Sequence, residues 1–362
     1  MSDPISRKQV KRHQKSTRQK PTIGDVAKAA NVSTATVSRT INSPKSVGAE
    51  VRARVEQQIR TLGYVRDGKA RALAANNSRA IGAIIPTLEN AIFAAGINAL
   101  EHKLDEAGYT LLLAVSNYDL EQELSQIREM MEHGVDGILL IGNIHLPEAF
   151  ELMDQHQQLF AHMWAFDDSN PYPCIGFDNH QAAGEITDYL LDLGHQRFAI
   201  IAGITTNNDR ARLRIQGTVD ALANRNLEIK KEFIIEKKYS IAAGRHATKQ
   251  LLSLPLEQRP TAIICGNDVL AFGCLFECLH SGVKVPEDIS ITGFDDLPLS
   301  EHLLPSLTTV RVPTTEMGHK AAEFMLESIN KRSPLKKQRL VTELIVREST
   351  APPLNTDTGN TL

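Results

Sequence analysis

Two periodicities divide the chain. From Thr22 to Leu62 apolar residues recur in three- and four-residue steps: Ile23, Val26 and Ala27, then Val37 and Ile41, then Val51, Val55, Ile59 and Leu62. That spacing puts an apolar stripe on one face of each of three helices. Thr22 and Ser33 stand where N-caps are needed, and Asn31 tolerates the left-handed step that ends the first helix. The second helix is expected over 34–40, and a third follows the 42–47 loop and closes at Gly63. Two short helices joined by a tight turn and braced by a third form a helix-turn-helix head, although a plain three-helix bundle shares this pattern. Val37 and Ile41 turn inward, which leaves Thr34, Ala35, Ser38 and Arg39 facing out.

From Ala80 the pattern changes. Apolar runs such as IGAIIP, YTLLLAV, VDGILLIG and FAHMWAFD, and later FAIIAG, TAIICGN and SITGFDD, alternate with amphipathic stretches. Buried strands alternating with helices predict parallel, doubly wound α/β sheets. Some 270 residues exceed one such sheet, so two α/β subdomains are expected, first crossed near IGFDN, with a ligand cleft at the strand C-termini. The organisation read from the chain is a basic arm over 1–21, the head over 22–67, a linker over 68–79, a body over 80–350 and a tail over 351–362.

Charge sharpens this division. The whole chain of 362 residues carries 40 Lys and Arg against 43 Asp and Glu, but residues 1–79 hold 17 against 5. A basic end on an acidic body is the footprint of a nucleic-acid contact confined to that end. No apolar run reaches the roughly 18 residues of a membrane span, and the basic N-terminus has no apolar segment behind it, so a cytoplasmic protein is expected. Cys174, Cys265, Cys274 and Cys278 lack paired CxxC spacing; Cys274 and Cys278 share one helix face as small core residues. No HExxH, GxSxG or GxxxxGK[ST] occurs, and neither a metal nor a cofactor is expected.

The stretch TIGDVAKAANVSTATVSR strongly resembles the DNA-reading head of the LacI/GalR family of lactose-repressor-like regulators, whose signature runs T-x-x-D-V-A-x-x-A-x-V-S-x-x-T-V-S-R. The resemblance implies that Thr34 and Ala35 meet base edges in the major groove and that Arg39 adds a base or phosphate contact. It implies phosphate anchoring by Ser33, Thr36 and Ser38, with Thr22 a further DNA contact. Ala35 has no hydrogen-bonding group and offers only apolar contact, for instance to a thymine methyl. The linker GKARALAANNSR resembles the family's hinge helix, usually written A-R-x-L, at Ala70, Arg71 and Leu73. Arg66-Asp67 replace the family's Pro-Asn, so the start of that helix is left open. Alone it is too short to be stable, and pairing on DNA would order it.

The body resembles the sugar-binding body of the same family, itself similar to periplasmic sugar-binding proteins. GHxxxAxIAG matches at Gly194–Gly203, RxxG at Arg214–Gly217 and NDxxAxG at Asn267–Gly273, followed by VPEDISITGFDD and PSLTTV. The likeness covers roughly residues 22–350. It implies a cleft lined by Asn90, Ile92 and Phe93, by Asn143 and His145 after the third strand, and by Asp167 after the fourth. Asn208 and Arg212 occupy the ligand-grasping loop, Tyr239 stacks on a ring, and Asn267 and Asp295 meet hydroxyls; Arg214 is read as an anchor of its own loop. Arginine supplies a planar donor fork, aspartate two acceptors and aromatics an apolar platform, a set suited to a small polyol.

Arg212 with His145 points to an anionic sugar acid, and IGFDN resembles the gluconate-repressor branch; a neutral sugar or a purine stays open. The tail has no heptads, so a homodimer is expected rather than a coiled-coil tetramer. The expected partners are operator double-stranded DNA, a sugar or sugar-acid effector and a second copy of the chain, with no membrane. A transcriptional regulator, of repressor type, accounts for both modules. A solute-binding protein would have no use for the head. A glycosidase would draw its carboxylates from Asp167-Asp168 or Asp295-Asp296, but neighbours at a strand end seldom face one site together.

Overall fold

The structure, a computed structural model, describes residues 20–65, 77–89, 91–331 and 337–354. It divides into two compact units after Asn77. In the first unit α1 (Ile23–Ala29), α2 (Thr34–Asn42) and α3 (Ala49–Leu62) enclose Val26, Ala27, Ala30, Val37 and Val55. Thr22 and Asp25 cap α1 reciprocally: Thr22 Oγ1 accepts from the Asp25 N–H at 3.3 Å, and Asp25 Oδ2 accepts from the Thr22 N–H at 2.8 Å. These bonds hold the Asp25 carboxyl below its ordinary pKa. Asn31 makes the left-handed step at φ 50°, and Ser33 Oγ accepts from the Thr36 N–H at 3.1 Å to start α2. That helix runs two residues past its expected end. Thr40 is buried and returns its hydroxyl to the Thr36 carbonyl at 2.9 Å, so no break occurs before Ser43-Pro44.

The second unit holds two parallel sheets. The first is built from β1 (Ala80–Ile85), α4 (Ala91–Glu106), β2 (Thr110–Val115), α5 (Leu120–Glu132), β3 (Gly137–Ile141), α6 (Pro147–Gln155), β4 (Phe160–Met163) and β5 (Cys174–Gly176). The second contains α7 (Asn179–Asp192), β6 (Phe198–Gly203), α8 (Asp209–Asn224), β7 (Ile234–Lys237), α9 (Ile241–Leu252), β8 (Ala262–Cys265), α10 (Asp268–Ser281) and β9 (Ser290–Thr292). The chain then returns through β10 (Thr309–Arg311), α11 (Thr314–Lys331), β11 (Gln338–Arg339) and β12 (Glu343–Ile345). Strand orders are β11-β5-β4-β3-β1-β2 and β7-β6-β8-β9, and β10 pairs antiparallel with β12.

Helices cover both faces of each sheet, which explains the unbroken apolar runs in place of alternation. Ile81, Ile84, Ile138, Leu139 and Leu140 are all buried, each contributing about 1.5–3 kcal/mol by leaving water. α11 completes the core of the first sheet, where Met317, Ala321 and Met325 join Leu100, Leu104 and Trp164. The chain passes between the sheets three times: after β5, after β9, and again after β11, where the Ile291 N–H bonds the Ser349 carbonyl at 2.9 Å. The four cysteines are buried free thiols. Among the described residues no helix is long and apolar enough to cross a membrane.

Candidate functional site

The C-terminal ends of the strands of both sheets meet at a cleft open to solvent, whose empty space, open mouth included, is about 310 Å³. Ile92 and Phe93 enter from the start of α4, Tyr118 from the turn after β2 and Trp164 from the end of β4. Opposite them stand Asn208, Arg210 and Arg214 around the start of α8, Tyr239 after β7, Asn267 after β8 and Asp295 after β9. Phe93 and Trp164 meet edge to face with ring centroids 5.1 Å apart. Gly203 makes room for Tyr239, since a Cβ there would overlap the phenol ring.

Hydrogen bonding fixes the polar wall. Arg214 donates from Nε to Asn179 Oδ1 at 2.9 Å and from Nη1 to the Gly266 carbonyl at 2.7 Å, and its guanidinium lies 3.6 Å from the Phe294 ring centre. Asn208 and Asn267 cap α8 and α10 by accepting from the Ala211 and Leu270 N–H groups. Among the described residues, three buried polar atoms of the lining have no hydrogen-bond partner: Trp164 Nε1, Asn267 Nδ2 and Asp295 Oδ1. Two of these are donors and one an acceptor. Leaving such groups unpaired costs about 1–3 kcal/mol each, so the cavity is built to be filled by a molecule with hydrogen-bonding groups on both sides.

Burial also shifts titration. Asp295 is pushed well above the usual carboxylate range, partly opposed by Arg214, whose Nη1 lies 3.7 Å from Oδ1. Arg214 is itself lowered by burial. Tyr239 is pushed up to about 12 and Tyr118 is raised, both by desolvation.

Of the residues named from the sequence, Ile92, Phe93, Asn208, Tyr239, Asn267 and Asp295 lie in this lining. Asn90 falls outside the described residues. Four others lie elsewhere. Arg212 is exposed, because helical geometry places it on the far side of α8 from Arg210 and Arg214. His145 is buried beneath the loop after β3, with Nδ1 2.6 Å from Glu123 Oε1 and Nε2 3.0 Å from the Gly142 carbonyl. Asn143 is turned to Asn170, and Asp167 is exposed and bound to Ser169, whose bonds lower its pKa. Conversely Tyr118, Trp164, Arg210 and Arg214 line the cavity without having been read as site residues. For the two arginines the signal was available: phased from the Asn208 cap, positions i and i+4 share a face.

In the first unit Thr34, Ala35 and Arg39 are exposed along α2. Ser33 and Thr36 are bonded to each other at 2.9 Å between hydroxyls, and Ser38 Oγ accepts from Asn42 Nδ2 at 3.1 Å. The exposed face thus combines a cation, a hydroxyl and a methyl group, the chemistry with which a helix reads major-groove edges. Ala70, Arg71 and Leu73 lie outside the described residues.

Residues 22–67 match the model described as bacterial regulatory proteins, lacI family, and residues 187–350 match a periplasmic binding protein-like domain. The HTH-type transcriptional repressor CytR of Escherichia coli (strain K12) is 35% identical over 333 residues, which are 91% of this chain and 96% of that protein. The HTH-type transcriptional repressor PurR of Aliivibrio fischeri (strain MJ11) is 33% identical over 309 residues, 85% of this chain and 91% of its own length. The solved lac repressor dimer bound to operator and the anti-inducer ONPF superposes with a TM-score of 0.81 at 26% identity, covering 92% of this chain and all of that one.

Proposed function

The chain belongs to the lacI family of bacterial regulatory proteins, and we propose that it is a repressor whose affinity for an operator is set by a small hydroxylated effector held in the cavity between its two sheets. α2 reads the operator through Thr34, Ala35 and Arg39. Ser33, Thr36, Ser38 and Thr22 anchor the phosphates, and Ala70, Arg71 and Leu73 form the hinge. The chain works as a homodimer, as the lac repressor does on its operator. Its effector is a sugar or sugar acid, held by the donor fork of the arginines, the Asp295 carboxylate and the Phe93, Trp164 and Tyr239 rings. The protein turns nothing over. Asp295 is sequestered beside Arg214, and Asp167 lies outside the cavity, so the two carboxylates do not flank one bond.

The observation that carries the reading is the set of three buried polar atoms in the cavity that lack a hydrogen-bond partner among the described residues, in a chain that also bears an exposed reading helix. The test has two stages. Rounds of selection from random-sequence DNA yield the sites the full chain prefers. A thermal-shift panel of sugars and sugar acids then identifies a ligand that raises the melting temperature and changes affinity for those sites. Arg39→Ala should weaken binding to the selected sites by roughly 1–3 kcal/mol. Enrichment of no sequence at all, together with a panel in which no ligand alters DNA affinity, overturns the proposal.

A further inference from the structure

One carboxylate outside the cavity lining ties its two walls together. Asp209, the first residue of α8, turns its side chain across to the first sheet. Its Oδ2 accepts from the Asn143 backbone N–H at 2.8 Å, and its Oδ1 accepts from Arg210 Nη1 at 2.9 Å. The two side chains are only 5% and 7% exposed. Arg210 lines the cavity from the second sheet, whereas Asn143 belongs to the loop after β3 of the first. Gly142 permits this approach. It sits at φ 88°, and a Cβ there would overlap Arg210 Nη1 and crowd Asp209 Oδ1. The same loop is braced from below by His145 at the Gly142 carbonyl. A second strap joins the walls where Asn207 Nδ2 donates to the Tyr118 carbonyl at 3.0 Å.

Helix capping does not explain Asp209, because Asn208 already caps α8. Nor does fold stability, since a buried ion pair gains little over its desolvation. We propose that Asp209 is a positioning residue that latches the cleft: it orients Arg210 for the effector and, through the Asn143 N–H, makes movement of that guanidinium and approach of the first sheet a single event. The latch biases the effector-free protein toward closure, so an effector needs less differential affinity to complete it. The orientation of Arg210 for an effector and this last consequence rest on the cleft being the effector site; the coupling of the two walls does not.

The test needs no effector. Trp164 is the only tryptophan, lines the cavity and is 1% exposed, so acrylamide quenching of its fluorescence in the full chain reports opening. Asp209→Ala should raise the quenching constant about twofold or more, by shifting the population toward the open cleft. Asp209→Asn keeps an acceptor for Asn143 but loses the ion pair, and should fall between parent and Asp209→Ala. Gly142→Ala, acting from the opposite wall, should reproduce the Asp209→Ala result, and Asn207→Ala should do so weakly. Circular dichroism and melting curves define temperatures at which each variant is folded. A purely structural role lowers the melting temperature and leaves quenching of the folded chain unchanged; equal shielding of Trp164 in Asp209→Ala and Gly142→Ala at such temperatures overturns the latch. If Asp209→Ala does not fold, Asp209→Asn and Gly142→Ala decide. A quenching change without any ligand in the thermal-shift panel upholds the latch and removes the effector reading; a panel ligand without a quenching change does the reverse.

Discussion

The two walls of the cavity are built on different principles. The first sheet contributes Ile92, Phe93, Tyr118 and Trp164, which are uncharged and largely aromatic; the second contributes all three guanidinium and carboxyl groups, Arg210, Arg214 and Asp295, with two asparagines and Tyr239. Residues of the charged wall are held by their own scaffold, Arg214 by Asn179 and Gly266, and the asparagines as helix caps. Those of the aromatic wall are held by packing, as where Phe93 meets Trp164. One wall therefore selects, by demanding that hydrogen bonds be matched, while the other covers whatever fits. A preorganised polar wall loses little freedom on binding, and an apolar one can adjust.

That contrast can be broken by substitution. The largest effect is expected from Asp295→Ala, which removes the acceptor and leaves Arg214 buried without its counter-charge. Calorimetry with the ligand found in the panel should show a loss of at least about 3 kcal/mol, or roughly a hundredfold in affinity. Phe93→Ala should cost less, about 1–2 kcal/mol, from lost ring contact and apolar burial. If it costs more than Asp295→Ala, the assignment of selection to the polar wall is wrong.

A pH effect sharpens the comparison further. Each sheet buries a histidine whose charged form is disfavoured: burial lowers His162, packed among Phe150, Phe160 and Tyr172 on the first sheet, well below its ordinary 6.5, and lowers His195, bonded to Thr261 and Ser290 at the N-terminal end of the second. Below that value the unfolded chain takes up protons that the folded chain resists, so stability present at neutral pH is lost as pH falls, by up to about 1.4 kcal/mol per unit for each group. Chemical denaturation from pH 7.5 to 5 should show this slope, and His162→Phe should flatten it more than His195→Asn. The smallest effect belongs to Arg212→Ala. Being exposed on the outer side of α8, it should change ligand affinity by less than about 0.5 kcal/mol.

Local rules carried much of the architecture. The caps at Thr22 and Ser33, the left-handed Asn31 and the run of buried strands are short-range features, written in neighbouring residues. The cavity is not local, and its legibility was uneven. Residues that cap a helix at a strand end, such as Asn208 and Asn267, combine a sequence signal with a place in the cavity. Tyr118 and Trp164 sit at φ 60° and 64° in turns, where no periodicity says which way a ring points. His145 looked available because its carboxylate partner is distant in the chain: Glu123 comes from α5, and only the fold brings the two within 2.6 Å. Arg212 was a matter of phase, since a step of two residues along α8 turns a side chain by about 200°, from the inner face that Arg210 and Arg214 share to the outer one.

The threefold passage of the chain between the sheets has a consequence for its birth. All four strands of the second sheet have been synthesised once residue 292 is added, whereas the first sheet lacks β11 until residue 339 and its core lacks Met317, Ala321 and Met325. The lobe that starts to emerge from the ribosome first is therefore the one that matures last. Through most of translation its Leu100 and Leu104 face has no partner helix, a surface for chaperones to guard, and a cut made anywhere before α11 leaves it unfinished.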